Sequence, residues 1–300
     1  MIDFVDMLLN RIDGEPEHKG AAHVLVCFTR TETGKILCKL ASDTVLSKTE
    51  KTSITLLYFV HNIQELMEDE PIEMLQNRLL ADFKPKGEKN KITMRLFIRE
   101  HAGMVNEIRK TAEEQGIGLL LIGLCHDEID LSEAEKYMRL RNDPTNSQAA
   151  ILAQLGEKEA ETLKQVSSLL ERNKIPTGIF LDNGLTEIKH IFIPVLCKAD
   201  MHIFTFIYQT ALKENVQIMV WDAVGIIQSE PKMQKLYQFI VKKSDGRVRL
   251  WDDNKKIEKE FIQSQDLLIT GIDGWNRLVD TPLTWKDSLP STLIIKDSSN

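Results

Sequence analysis

The residues with the clearest chemical potential are two glycines at the end of an apolar run. Gly271-Ile272-Asp273-Gly274 follows Leu267-Leu268-Ile269-Thr270 directly. A G-x-x-G step between a strand and a helix lets backbone N–H groups come close to a phosphate, whose charge the helix dipole also favours. Gly271 and Gly274 are therefore the candidate nucleotide-loop residues. The later pair that would complete a phosphate motif falls at Thr284-Trp285, and Asp273 and Trp275 favour a closed or acidic loop. The matching run in the first half, Gly118 to Gly123, continues as Leu124-Cys125-His126-Asp127 without a second glycine. Asp127, Glu128 and Asp130 would repel phosphates there.

His126 with these carboxylates has the donor types for a divalent cation, but its spacing matches neither an EF-hand nor a zinc motif, so it reads as a solvated acidic loop. His61, just past the second apolar strand, reads as an ordinary hydrogen-bonded histidine at the ligand end of the first sheet. Cys27, Cys38, Cys125 and Cys197 contain no CxxC pair and read as buried reduced thiols. No Ser/His/Asp or Cys/His arrangement has a recognisable context. The expectation is no catalytic residue, no metal ligand and no enzyme.

A chain of 300 residues, 42% hydrophobic and 28% charged, is sized for about two globular domains. Its net charge of −7 disfavours nucleic acid, since Lys242-Lys243 and Lys255-Lys256 form no sustained basic stripe. The opening residues lack a secretory pattern, and no apolar run approaches the roughly eighteen residues of a spanning helix. Ile2, Val5, Leu8, Leu9 and Ile12 make an amphipathic stripe before the polar stretch from Asp13 to Gly20.

The elements that must position these groups alternate. Strands are expected at His23 to Phe28, Ser53 to Val60, Ile92 to Ile98, Gly118 to Gly123 and Thr177 to Leu181. Helical faces at Ile36 to Val45, Ile72 to Leu79, Met104 to Ala112 and Leu152 to Leu170 separate them. The order repeats in shorter form, with strands at Ile191 to Leu196, Val216 to Val220, Arg247 to Trp251, Leu267 to Gly271 and Thr292 to Ile295. Such alternation requires parallel pairing with helical crossovers, and the polar alternation of Ile92 to Ile98 places it at an edge. The fold class is α/β, as two tandem doubly wound five-stranded parallel-sheet domains. The expected boundaries are a lead-in at 1–20, a first domain at 21–183 and a second at 184–300.

Five βα units with a glycine-ended fourth strand resemble the universal stress protein family, which is adenine nucleotide alpha hydrolase-like. Two in tandem resemble the cytosolic C-terminal region of CPA2-type monovalent cation/proton antiporters. The stretch Ile175-Pro176-Thr177-Gly178-Ile179-Phe180-Leu181-Asp182-Asn183-Gly184-Leu185, followed by Lys189-His190-Ile191-Phe192-Ile193-Pro194-Val195, carries that resemblance. It implies a non-enzymatic regulatory domain on the cytoplasmic side of the cell membrane, with an upstream transmembrane antiporter domain in the same polypeptide and a homodimeric state. The chain would then be a fragment and Met1 an arbitrary start. No cofactor is expected on this reading. The alternative is a free-standing tandem stress protein binding ATP or a related nucleotide at Gly271 and Gly274.

Overall fold

The structure is a computed structural model, and it describes residues 23–45, 53–83, 92–125, 175–204, 210–211, 215–252, 255–281, 283–285 and 288–297. The amphipathic stripe at 2–12, the expected helix at 152–170 and the acidic loop at 126–130 lie outside the described residues. The chain divides into two compact units, the first comprising Ala21–Asn183 and the second Gly184–Ile295.

In the first unit β1 (His23–Phe28), β2 (Ser53–Val60), β3 (Thr93–Glu100), β4 (Leu119–Cys125) and β5 (Thr177–Asp182) lie in the order β3-β2-β1-β4-β5. Every adjacent pair is parallel, with Val26 opposite both Leu56 and Leu121, Leu56 opposite Leu96, and Ile122 opposite Ile179. The continuous apolar runs of β1, β2 and β4 follow from this order, because a strand between two parallel neighbours is covered on both faces. β3 is outermost of the five, and there Met94, Leu96 and Ile98 are buried while Thr93 and Arg95 are exposed.

Between these strands run α1 (Thr31–Val45), α2 (Ile63–Asp69), α3 (Ile72–Phe83) and α4 (Met104–Gln115). α1 buries Leu37, Cys38, Leu40 and Ala41. It begins five residues before its apolar face because Thr31 to Lys35 form a polar first turn with Glu32 at the dipole's positive end. α2 is short, with Ile63, Leu66 and Met67 at helical spacing, and it starts where the Asn62 side chain accepts a hydrogen bond from the Gln64 N–H at 2.9 Å. α4 ends at Gly116, whose φ of +59° closes the helix with an N–H donated to the Ala112 carbonyl.

The second unit repeats this order with β6 (His190–Val195), β7 (Gln217–Asp222), β8 (Val248–Leu250), β9 (Leu267–Gly271) and β10 (Ser291–Lys296), arranged β8-β7-β6-β9-β10. All four pairings are parallel. β6 meets β9 only at Ile191 and Phe192, before Pro194, which has no N–H to continue a ladder. The helices are α5 (Ile226–Ser229), α6 (Pro231–Lys243), α7 (Lys259–Gln263) and α8 (Ile272–Asp280). Asp222 at the end of β7 caps α5, accepting from the Ile226 and Ile227 N–H groups at 3.0 and 2.7 Å. Pro231 opens α6 where its missing N–H leaves no bond unmade. The fully buried aromatics Phe192 and Trp285 meet edge to face, with ring centroids 6.3 Å apart.

Candidate functional site

Parallel strands present their carboxyl ends, and the loops after them, along one edge of the sheet, which is where ligands settle in open α/β folds. In the first unit that edge carries a cleft of about 300 Å³ lined by Thr29, Tyr58, Phe59, Val60, His61, Asn62, Leu66 and His101. β1 delivers Thr29 one residue past its end, β2 delivers Tyr58 and His61, and β3 delivers His101 through a 3-10 turn at His101–Gly103. The His61 and His101 rings lie 5.7 Å apart between centroids, tilted by 38°. An imidazole can donate through one ring nitrogen and accept through the other, so the pair can bind a polar molecule and can also move a proton.

Tyr58 and Phe59 form the aromatic part of the cleft's lining. Phe28 stacks on Tyr58 at 5.3 Å and meets Phe83 edge to face at 5.3 Å. The Tyr58 hydroxyl is pushed above the usual phenol range by burial and by the charge of Glu32, so it keeps its proton as a hydrogen-bond donor. The Thr29 hydroxyl oxygen is shielded from water and has no hydrogen-bond partner within the protein.

Behind the cleft, α1 closes down on the end of β4. A Cβ on Gly123 would stand 2.9 Å from Leu37 Cδ1 and inside contact distance of the Thr33 methyl group. Thr33 donates its hydroxyl to Asp182 Oδ2 at 2.7 Å. This glycine therefore seats the helix against the strand, and its place in the sequence marks packing.

In the second unit Gly271 is the last residue of β9 and Gly274 lies in the first turn of α8. The Asp200 carboxylate, from the 3-10 turn Lys198–His202 after β6, sits against them. Asp200 is fully buried. Its Oδ1 accepts from the Gly274 N–H at 3.0 Å, and its Oδ2 accepts from the Leu196 and Cys197 N–H groups at 3.2 and 3.1 Å. Burial raises its carboxyl above the ordinary carboxylate value, and hydrogen bonds from Cys197, Gly274 and Leu196 oppose that shift without cancelling it. The Cys197 thiol is pushed up to about 11, by burial first and then by the charge and hydrogen bonding of Asp200. His202, one turn on, spans the Ala199 and Ile295 carbonyls at 2.6 and 3.2 Å. Arg277 donates to the Leu196 carbonyl at 2.9 Å.

Sequence reading thus placed His61 correctly at a strand end and missed its neighbour His101, which stands forty residues away and meets it only because β2 and β3 run parallel in register. It also missed Asp200, a single acid in a turn without motif. Cys27, Cys38 and Cys197 are free thiols buried in their units. Among the described residues no group of three or more His, Cys, Asp or Glu side chains is arranged to hold a metal ion.

No protein-family model matches the chain, and no curated protein matches it. A putative UDP-N-acetylglucosamine 2-epimerase from Listeria monocytogenes is similar over 83% of this chain and 74% of that one, at 12% identity and a TM-score of 0.22. The UDP-GlcNAc 2-epimerase from Neisseria meningitidis bound to UDP-GlcNAc is similar over 82% and 76%, at 10% identity and a TM-score of 0.22. At these TM-scores neither likeness says what this chain binds or catalyses.

These findings correct the resemblance drawn from the junction around Asp182. The two solved structures named above are UDP-N-acetylglucosamine 2-epimerases, and no family model or curated protein links the chain to an antiporter or a stress protein. The regulatory antiporter function, its stress-protein alternative and the transport vocabulary attached to them are withdrawn. So is the expectation of a non-enzymatic chain, which that resemblance implied. The physical reason is that alternating apolar strands and helices, a glycine where a helix crosses a strand end and a short link between two sheets are demanded by α/β packing in general. No helix among the described residues is long and apolar enough to cross a membrane.

Proposed function

We propose that the first unit binds a small polar molecule in the cleft beyond the carboxyl ends of β1, β2 and β3, and that His61 and His101 are its principal contacts. The observation that carries this reading is the imidazole pair, 5.7 Å apart, lining a cleft of about 300 Å³ beside Tyr58 and Phe59. That volume lies at the lower end of the range for small-molecule sites, so the ligand is a compact one. Tyr58 and Thr29 are the hydroxyl-bearing residues of its lining, and Asn62 is anchored as the cap of α2. Proton transfer to or from the bound molecule is the chemistry this set of side chains can supply.

The matching strand orders support a second inference, that the two units are two copies of one doubly wound, five-stranded plan. The copies differ at the carboxyl-end edge, since among the described residues only the first carries such an imidazole pair. The binding test is ligand-observed NMR with a library of polar fragments comprising hydroxy acids, sugars and organic phosphates. Hits should bind the intact chain and lose binding in His101→Ala and His61→Ala. Hits indifferent to both substitutions, or no hits at millimolar fragment, would sink the reading.

A further inference from the structure

We propose that the ligand of the His61–His101 cleft carries a terminal hydroxyl group, that a small chamber adjoining the cleft receives it, and that Thr29 is the residue that selects it. The inference rests on the cleft being the binding site. The chamber is about 10 Å³ and is walled by Cys27 in β1, Thr29 just past its end, Phe59 in β2, Met104 in α4 and Leu124 in β4, with His101 beside them. Thr29, Phe59 and His101 line the cleft as well, so the two spaces adjoin. β1 lies between β2 and β4, and the connections leaving its two sides diverge beyond its carboxyl end, which is where open α/β sheets leave room for a ligand group.

The Thr29 hydroxyl oxygen is shielded from solvent and has no hydrogen-bond partner within the protein. A ligand group that pairs with it gains a hydrogen bond without breaking one inside the fold. Size and polarity then decide what that group is. A chamber of about 10 Å³ is at the lower limit for a single water-sized group, which excludes carboxylates, phosphates and rings. An ammonium group would lie among the buried Cys27, Phe59, Met104 and Leu124 with no carboxylate in the wall. A methyl group would fit and leave Thr29 unpaired. A free water molecule needs about two to four polar partners, and the side chains of this wall offer little beyond Thr29 and His101. A hydroxyl attached to a molecule already held in the cleft has its position set by the rest of the ligand, so one partner suffices.

The experiment measures binding to the whole protein of matched pairs that exchange a terminal hydroxyl for a methyl group: glycolate and propionate, ethanolamine and propylamine, ethylene glycol and 1-propanol. In at least one pair the hydroxyl compound should bind roughly five- to tenfold more tightly and lose affinity in His61→Ala and His101→Ala. Thr29→Val puts a methyl group where the hydroxyl stands and should remove the preference, whereas Thr29→Ser should keep it. Should Thr29→Val fold poorly, Thr29→Ala serves the same purpose. Pairs that bind through both histidines without a hydroxyl preference, or with a preference unchanged in Thr29→Val, would overturn the inference and leave the cleft reading standing. If none of the six compounds binds while other polar fragments do so through His61 and His101, the inference alone falls. If nothing binds, the cleft reading falls and the inference with it.

Discussion

The Asp200 carboxylate occupies the space that a side chain on Gly274 would need, and accepts that glycine's N–H at 3.0 Å. A Gly274→Ala substitution must displace a fully buried acid from three donors. Loss of hydrogen bonds to a charged group and the strain of overpacking each cost about 1–3 kcal/mol, so unfolding by urea should show a loss of roughly 2–4 kcal/mol. A loss within 0.5 kcal/mol would mean that the turn is softer than this packing implies.

The same acid gives a pH dependence of defined sign. Its folded value is raised by burial, so the folded chain holds this proton to higher pH than the unfolded chain does. The contribution of Asp200 to stability is then full below its unfolded value, about pH 4, and is lost as pH rises through the raised folded value. The stability of the parent minus that of Asp200→Asn should therefore fall with rising pH over this window. A difference that is flat or rises would contradict the raised value.

Thr29 separates binding from folding. Its hydroxyl is buried without a protein partner, so Thr29→Val gives up no internal hydrogen bond and should leave stability unchanged or raise it by about 1 kcal/mol. Fragment binding in the His61–His101 cleft should weaken in the same variant. Destabilisation with binding intact would assign Thr29 a purely structural part.

Gly123 tests the packing of α1 on β4. Gly123→Ala puts a methyl group against Thr33 and Leu37, and overpacking of this kind costs about 1–3 kcal/mol. Paired with Thr33→Ser, which removes the offending methyl group and keeps the hydroxyl that donates to Asp182, most of that loss should return. Additive losses in the double variant would place the strain elsewhere.

The thiols give a chemical check on burial. Burial pushes Cys27 well above its ordinary range, Cys38 to about 12 and Cys197 to about 11, so none of the three forms thiolate near neutral pH. Iodoacetamide should leave all three unmodified in the native protein and alkylate them in urea, as read by peptide mass spectrometry. Rapid native alkylation of Cys197 would show that the turn carrying Asp200 opens readily.

Much of the scaffold was legible because it follows from local rules. β2 and β9 match their apolar runs residue for residue, and Pro71 and Pro231 mark the starts of α3 and α6. α2 was not read from the sequence, since Ile63, Leu66 and Met67 fall at helical spacing over only seven residues and the side-chain cap at Asn62 leaves no periodic signal. The resemblance drawn from the strand order failed for a related reason. Elements forced by α/β packing are common to many families and carry no chemistry of their own.

The sequence by itself determined the α/β class, the alternation of elements and the edge character of β3, because apolar periodicity records which faces are covered. Only the tertiary structure decided what the glycines and histidines do. His61 and His101 become neighbours through parallel registration of β2 with β3, and Asp200 reaches Gly274 through a turn that no periodicity marks. Contacts between residues forty and seventy-four positions apart leave no local trace, since hydrogen bonding and steric exclusion act on distance in space and are indifferent to distance along the chain.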